Sequence, residues 1–218
     1  MNFPAITAAI ICSFFALHCS ATQPVRVLDE GATNVSASLG GPFIPLGNNL
    51  VPVPYLTAGI QHGYTGSTTL TANAHLLTAL LGDVGMDVGA AQRVLPQDEA
   101  VPELTAKAQM YFFYDAQRGN NPRFFPMLTA NASYRVGNAA LLYFGADNFF
   151  QFSKPSYFVS PFLGTQFPLG RGVEMQVESK WMAANVNTAH GVFEGDGSVG
   201  GNGNISLFLG FTYSLSSP

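Results

Sequence analysis

The sequence predicts an all-β fold: an antiparallel, up-and-down transmembrane β-barrel of about ten strands, with eight as the alternative count. Three observations carry this. Along most of the chain apolar and polar residues alternate with a period of two, the pattern of a strand with one face on apolar surroundings and the other on polar ones. The end of the chain is the clearest instance: Ile205, Leu207, Leu209, Phe211, Tyr213 and Leu215 share one face, opposite Ser206, Phe208, Gly210, Thr212 and Ser214. Composition agrees, since 47% of residues are hydrophobic and only 10% charged, against roughly 25% charged in a soluble domain. Past the leader, no apolar run approaches the roughly 20 residues of a spanning helix. With 23 Gly and 14 Pro the chain has many turns and few long helices.

The first element is an export signal. Ala5 to Leu17 is an apolar stretch of h-region length, preceded by Met1-Asn2-Phe3-Pro4 without Lys or Arg. Small residues at Cys19 and Ala21 place cleavage after Ala21, with lipidation of Cys19 as the alternative processing. The only two cysteines, Cys12 and Cys19, lie in this leader. A mature chain therefore has no disulfide, thiol nucleophile or cysteine metal site, and a hydrogen-bonded barrel closed on itself would hold it instead.

Ten strand segments follow. Val35 to Phe43 is Gly- and Ser-rich and weakly patterned. Tyr55 to Tyr64 sets Leu56, Ala58 and Ile60 against Thr57 and Gln61. Thr68 to Leu81 sets Leu70, Ala72, Ala74, Leu76 and Leu80 against Thr69, Thr71, Asn73 and His75. Val84 to Leu95 sets Val84, Met86 and Val88 against Asp87 and Arg93. Glu103 to Asp115 has Leu104, Met110, Phe112 and Tyr114 opposite Glu103, Lys107 and Gln109, with every charge on one face. Phe125 to Val136 places Leu128 and Tyr134 against Thr129, Asn131 and Arg135. Ala139 to Phe150 is apolar on both faces apart from Asp147. Tyr157 to Leu169 shows Val159, Leu163 and Phe167 opposite Ser160 and Gln166. Gly172 to Met182 turns Val173, Met175, Val177 and Trp181 out, with Glu174, Gln176, Glu178 and Lys180 in. Ile205 to Leu215 is the tenth.

Connector lengths test the count, because both chain ends of such a barrel share the side of the short turns. Thr65-Gly66-Ser67, Gly137-Asn138 and Gly170-Arg171 are tight, whereas 45 to 54, 116 to 122 and 183 to 204 are long. Two links break the alternation: Gly82-Asp83 is short where a long loop is due, and Pro96 to Pro102 is long where a turn is due. The rival fold is a secreted, soluble, lipocalin-like binding barrel, whose apolar face is its lumen. Lipid outside is favoured by aromatics near strand ends on the apolar face (Tyr55, Tyr64, Tyr114, Tyr134, Tyr157, Phe167, Trp181, Tyr213) and by the scarcity of charge.

At this point the chain resembles the small outer-membrane β-barrel proteins of Gram-negative bacteria, from about Val35 to Leu215. The match is most specific at Gly210-Phe211-Thr212-Tyr213-Ser214-Leu215, which follows the Gly-x-x-aromatic-x-hydrophobic insertion signal of such barrels through Gly210, Tyr213 and Leu215. Phe208 stands where a polar residue is usual, and Ser216-Ser217-Pro218 trails the final hydrophobic position. The resemblance implies outer-membrane lipid as surroundings and the barrel-insertion machinery as a transient partner. It implies residues 1–21 as signal peptide, 22–34 as an N-terminal periplasmic segment and 35–218 as the barrel.

The inward charges are the candidate site: Asp87, Arg93, Glu103, Lys107, Arg135, Asp147, Glu174, Glu178 and Lys180, both signs mixed. A barrel of about this size is nearly filled by its own side chains, so a plugged polar network is the expected role. A narrow pore, or transport of a small solute or hydrophobic ligand, is the alternative. Catalysis is not expected. A hydroxyl nucleophile needs a base beside it. Of the three histidines beyond the leader, His62, His75 and His190, none sits in a His-x-Ser strand pair. Asp83 with His190 or Glu194 is only a loose acid-base candidate. Glu194-Gly195-Asp196-Gly197 lacks the oxygen spacing of a calcium loop, so neither metal nor cofactor is expected. A formal charge of −4 gives no basic footprint for nucleic acid. The loop Asn185 to Asn204 remains a possible site for a surface ligand.

Overall fold

The structure, a computed structural model, describes residues 24–46, 49–52, 54–80, 82–117, 120–137, 140–152, 154–187 and 198–215. The leader with Cys12 and Cys19, the loop residues His190, Glu194 and Asp196, and Ser216 to Pro218 lie outside these. The elements in chain order are β1 (Thr33–Leu46), β2 (Asn49–Pro52), β3 (Tyr55–Thr65), β4 (Thr68–His75), α1 (Leu76–Leu80), β5 (Asp83–Leu95) and β6 (Glu103–Asp115). β7 (Asn120–Val136), β8 (Ala140–Phe150), β9 (Tyr157–Gly170), β10 (Val173–Asn187) and β11 (Asn202–Ser214) complete them. Each long strand pairs antiparallel with the next, and β11 returns to β1 from Asn34↔Ser214 to Pro42↔Ser206. Ten strands close the barrel; β2 is a short addition that folds back on residues 43–46 of β1.

The two faces decide the surroundings. Phe144 is 64% exposed and Leu163 65%, and Leu39, Ile60, Val88, Leu128, Leu142 and Leu209 also point outward. Asp87, Lys107, Asp147, Glu178 and Lys180 are buried inside. In water this arrangement would expose a continuous belt of large apolar side chains and bury the charge, so the outer face meets hydrocarbon. The soluble lipocalin-like alternative is thereby overturned: its lumen would be the apolar face. No helix among the described residues is long and apolar enough to cross a membrane; the crossing is made by strands, which satisfy their backbone through the closed ladder.

The connectors resolve as hairpins of two kinds. At the end bearing the termini, β9 turns into β10 through Gly170, Arg171 and Gly172, all with positive φ, a conformation in which glycine is unstrained. At the opposite, outer end, β4 stops at His75 and the predicted strand to Leu81 gives way to α1, whose Thr78 hydroxyl donates back to the His75 carbonyl at 2.9 Å. The outer link after β4 is therefore 76–82, not Gly82-Asp83, and the alternation of lengths is kept there. The link 96–102 stays long on the inner side. It folds under the mouth through paired bonds between Asp98 and Val101.

One seam differs from the rest. β9 and β10 pair from Val173↔Gly170 to Lys180↔Phe162 and no further, although both strands continue outward. Side chains take over: Val159 N–H donates to Asn185 Oδ1 (2.8 Å), Asn185 Nδ2 donates to the Tyr157 carbonyl (3.0 Å), and Ala183 N–H donates to Ser160 Oγ (3.0 Å). Ala183 sits at φ 51°, and the pairing of β10 with β11 shifts register around it, between Met182 and Asn187.

Candidate functional site

The lumen is filled in three layers. Nearest the outer end, aromatic rings project inward in a continuous series from β3 round to β9. Tyr55 on β3 meets His75 on β4 (ring centroids 5.5 Å), and His75 meets Tyr111 and Phe113 on β6 (5.6 and 5.2 Å). Phe149 on β8 stacks on Phe125 of β7 (5.4 Å) and touches Tyr111 and Phe158. Room for them comes from glycine: a Cβ on Gly85 would lie 2.6 Å from the Phe113 ring. Tyr55 was expected in the outer aromatic girdle. It faces inward instead, in phase with Thr57 and Gln61, and its hydroxyl shares a hydrogen bond with His75 Nδ1.

Under the rings lies the first polar cluster. Asp87 Oδ2 contacts His75 Nε2 at 3.0 Å, and its Oδ1 accepts from Asn73 (2.7 Å) and Gln109 (2.8 Å). Further round the wall, Lys180 Nζ reaches Asp147 Oδ2 at 2.5 Å and Glu178 Oε1 at 3.2 Å. Thr129 donates to the other Asp147 oxygen (2.7 Å), Tyr143 donates to Glu178 Oε2 (3.1 Å), and Gln176 donates to the Tyr143 hydroxyl (2.7 Å). The ammonium also lies 5.2 and 5.6 Å from the Phe162 and Phe208 rings, within reach of cation–π attraction. Lys107 shares a cavity of about 20 Å³ with this group, room for about one water.

The third layer is the chain's own N-terminal stretch. Residues 24–32, expected as a periplasmic segment ahead of the barrel, run into its inner half. Val25 packs with Leu141, Tyr143 and Phe162. Its carbonyl accepts from Asn131 Nδ2 (2.7 Å), and Leu28 N–H donates to Thr69 Oγ1 (2.7 Å). Arg26 donates to Ser133 Oγ (3.0 Å) and to Gln97 Oε1, and its Nε stands 4.0 Å from Glu103. Burial draws the Arg26 guanidinium down from its ordinary value and Glu103 opposes that; it remains a cation. Gly31 N–H donates to Gly63 O and Gly63 N–H to Ala32 O (2.8 and 2.9 Å), an approach so close that a Cβ on Gly63 would overlap the Asp29 carbonyl. Beyond this segment, a cavity of about 490 Å³ forms a vestibule at the end bearing the termini.

The nine predicted inward residues divide among these layers. Asp87 sits with His75, while Lys107, Asp147, Glu178 and Lys180 surround the small cavity. Arg93, Glu103, Arg135 and Glu174 line the vestibule, where Arg93 Nε stands 3.4 Å from Glu103 and Gln166 donates to Glu174. Gly210 faces inward in β11, Tyr213 faces out, and Leu215 N–H donates to the Thr33 carbonyl at 2.8 Å. Sequence reasoning missed Val25, Arg26, Gln97 and Tyr55. The long link 96–102 was the available signal for Gln97, whose side chain also accepts from Arg135 N–H at 2.9 Å. Among the described residues no three or more His, Cys, Asp or Glu are placed to hold a metal.

A closed ten-stranded barrel with a lipid-facing exterior and a charged, packed interior defines the class: the chain is a small integral membrane protein of the transmembrane β-barrel type. No family model and no curated protein matches it. Among solved structures it is similar to an outer membrane channel from Pseudomonas putida F1 (12% identity, TM-score 0.44, covering 89% of this chain and 100% of that one). It is also similar to the translocator domain of the autotransporter NalP from Neisseria meningitidis (10%, 0.43, covering 96% and 95%) and to OprG from Pseudomonas aeruginosa (10%, 0.35, covering 89% and 100%).

Proposed function

We propose that the protein is a non-conducting, non-enzymatic barrel with a structural or surface-interaction role. The observation that supports this best is the three-layered filling: aromatic rings, paired charges and the Pro24 to Ala32 stretch each obstruct the lumen at a different depth. A non-enzymatic reading is supported by the histidines. His62 is exposed beside Thr33 (2.9 Å), with no acid bonded to it among the described residues. His75 has the partners that orient a base, Tyr55 and Asp87, but lies sealed under rings with no aliphatic hydroxyl bonded to its ring nitrogens. The surface contact would be made by the outer loops, the 185–204 loop foremost. Gly210, Tyr213 and Leu215 would be read by the barrel-insertion machinery during assembly.

Purified protein in planar bilayers tests the reading. Silent membranes, despite insertion verified by a heat-modifiable band, are the expected result. Discrete conductance steps from the unaltered chain would overturn it in favour of the narrow pore. That second reading has one observation behind it: vestibule and ion-pair cavity lie on either side of the same short segment, with Pro24 and Val25 lining both.

A further inference from the structure

We infer that Pro24 to Leu28 is a releasable plug, whose withdrawal opens the ion-pair cluster to the vestibule while the aromatic layer stays shut. The inference goes beyond the non-conducting reading, since a barrel whose outer layer holds remains silent with the plug in or out.

Three features separate this stretch from the wall. It contributes no strand to the barrel and is held by side chains remote in sequence: Asn131 on the Val25 carbonyl, Thr69 on the Leu28 amide, and Ser133 with Gln97 on Arg26. A ladder strand would instead have two backbone neighbours along its length. Second, the seat is imperfect. Glu103 Oε1, Thr105 Oγ1 and Asn131 Oδ1 are buried without a hydrogen-bond partner in the structure, and these residues line the two cavities that the segment divides. Withdrawal of the segment would open these oxygens to water, which can supply the missing partners. Third, the one ionic hold is weak. Arg26 Nε lies 4.0 Å from Glu103, farther than Arg93 Nε at 3.4 Å, so the carboxylate keeps a cation when Arg26 leaves. Apolar anchorage comes from two valines, Val25 in its pocket of Leu141, Tyr143 and Phe162, and Val27, which is also buried.

The plug carries its own reporter, because trypsin cleaves after Arg26 only when several residues around it are extended and free. The protein in detergent micelles is treated with trypsin and the product cut after Arg26 is followed by mass. Slow cleavage is expected in the unaltered chain, and at least ten times faster cleavage in Val25→Asp, which puts a charge in the apolar pocket. The heat-modifiable band should be unchanged. Equal rates in the two proteins would overturn the inference, and so would loss of the band in Val25→Asp, because the segment would then belong to the barrel's core. Hydrogen exchange of the unaltered protein gives a second measurement. The Leu28 amide should exchange at least a hundred times faster than strand amides of β4 and β7, and exchange in step with them would overturn the inference equally.

Discussion

Lys180→Met removes a cation that two buried carboxylates share while keeping the volume of the side chain. In the folded protein the ammonium is 2% exposed, 2.5 Å from Asp147 and 3.2 Å from Glu178. Breaking one buried ion pair by deleting a partner costs about 3–5 kcal/mol, chiefly through the charge left behind. Here two charges are left, but Thr129 still donates to Asp147, Tyr143 still donates to Glu178, and Lys107 lines the same cavity. These offset part of the second penalty, so the expected loss stays at about 3–5 kcal/mol. Adding Asp147→Asn and Glu178→Gln to Lys180→Met removes the stranded charges and should return the loss to within about 1–2 kcal/mol, the cost of imperfect hydrogen bonds. The assay is equilibrium urea unfolding in phospholipid vesicles, read by the heat-modifiable band and by Trp181, the single tryptophan, which is next to Lys180 and faces lipid. A loss under about 1 kcal/mol for Lys180→Met, or a triple variant no better than the single, would refute the claim that this pair is closed off from water.

Other perturbations address the outer face, the open seam and the inner mouth. Val177 and Leu209 are register partners on the lipid side, and Val177→Arg or Leu209→Arg should each cost about 2–4 kcal/mol near the bilayer midplane. Thr212→Arg, pointing into the vestibule, should be nearly neutral, and equal costs on the two faces would sink the phase assignment. Asn185→Ala hands the Val159 amide and the Tyr157 carbonyl to water, since both bonds are exposed, at a cost of about 0.5–1.5 kcal/mol; exchange at the Val159 amide should quicken while that of β8 holds, and an unaltered amide would show that the seam has other support. Gln97→Ala frees Arg26 on one side, so tryptic cleavage after Arg26 should rise severalfold; an unchanged rate would remove the long inner connector from the plug's hold.

Strand positions were legible because one face of each strand sits in hydrocarbon, which enforces the period of two without exception for side-chain size. β6 runs from Glu103 to Asp115 as the alternation alone defines it, and the inward phase of β4, β5, β7, β10 and β11 follows from the same rule. The end of β4 was hidden because Leu76 and Leu80 continue the apolar phase. Helix α1 and a strand are equally served by leucines, and the turn into α1 is marked instead by the Thr78 hydroxyl on the His75 carbonyl. Tyr55 was misplaced because position near a strand end was weighed above parity with Thr57. The plug left no signal at all. Val25-Arg26-Val27 is too short to show a period, and the partner that holds Arg26, Ser133, is 107 residues away.

A barrel turned inside out in this way has lost the usual source of structural specificity. Its apolar surface faces lipid, which accepts Leu, Val, Phe or Ala in any order, so the exterior says little about which strand register is correct. The interior must supply that information. A slip of one residue between β10 and its neighbours would turn Glu178 and Lys180 to the bilayer and bring Val177 and Trp181 inside. At about 2–4 kcal/mol for a cation at the midplane, with the stranded Asp147 added, that slip is penalised more heavily than the whole ion cluster need stabilise the native state. The paired charges are therefore best understood as excluding wrong registers, which explains why both signs recur on inward positions of β5, β6 and β10 in a chain with so few charges to distribute.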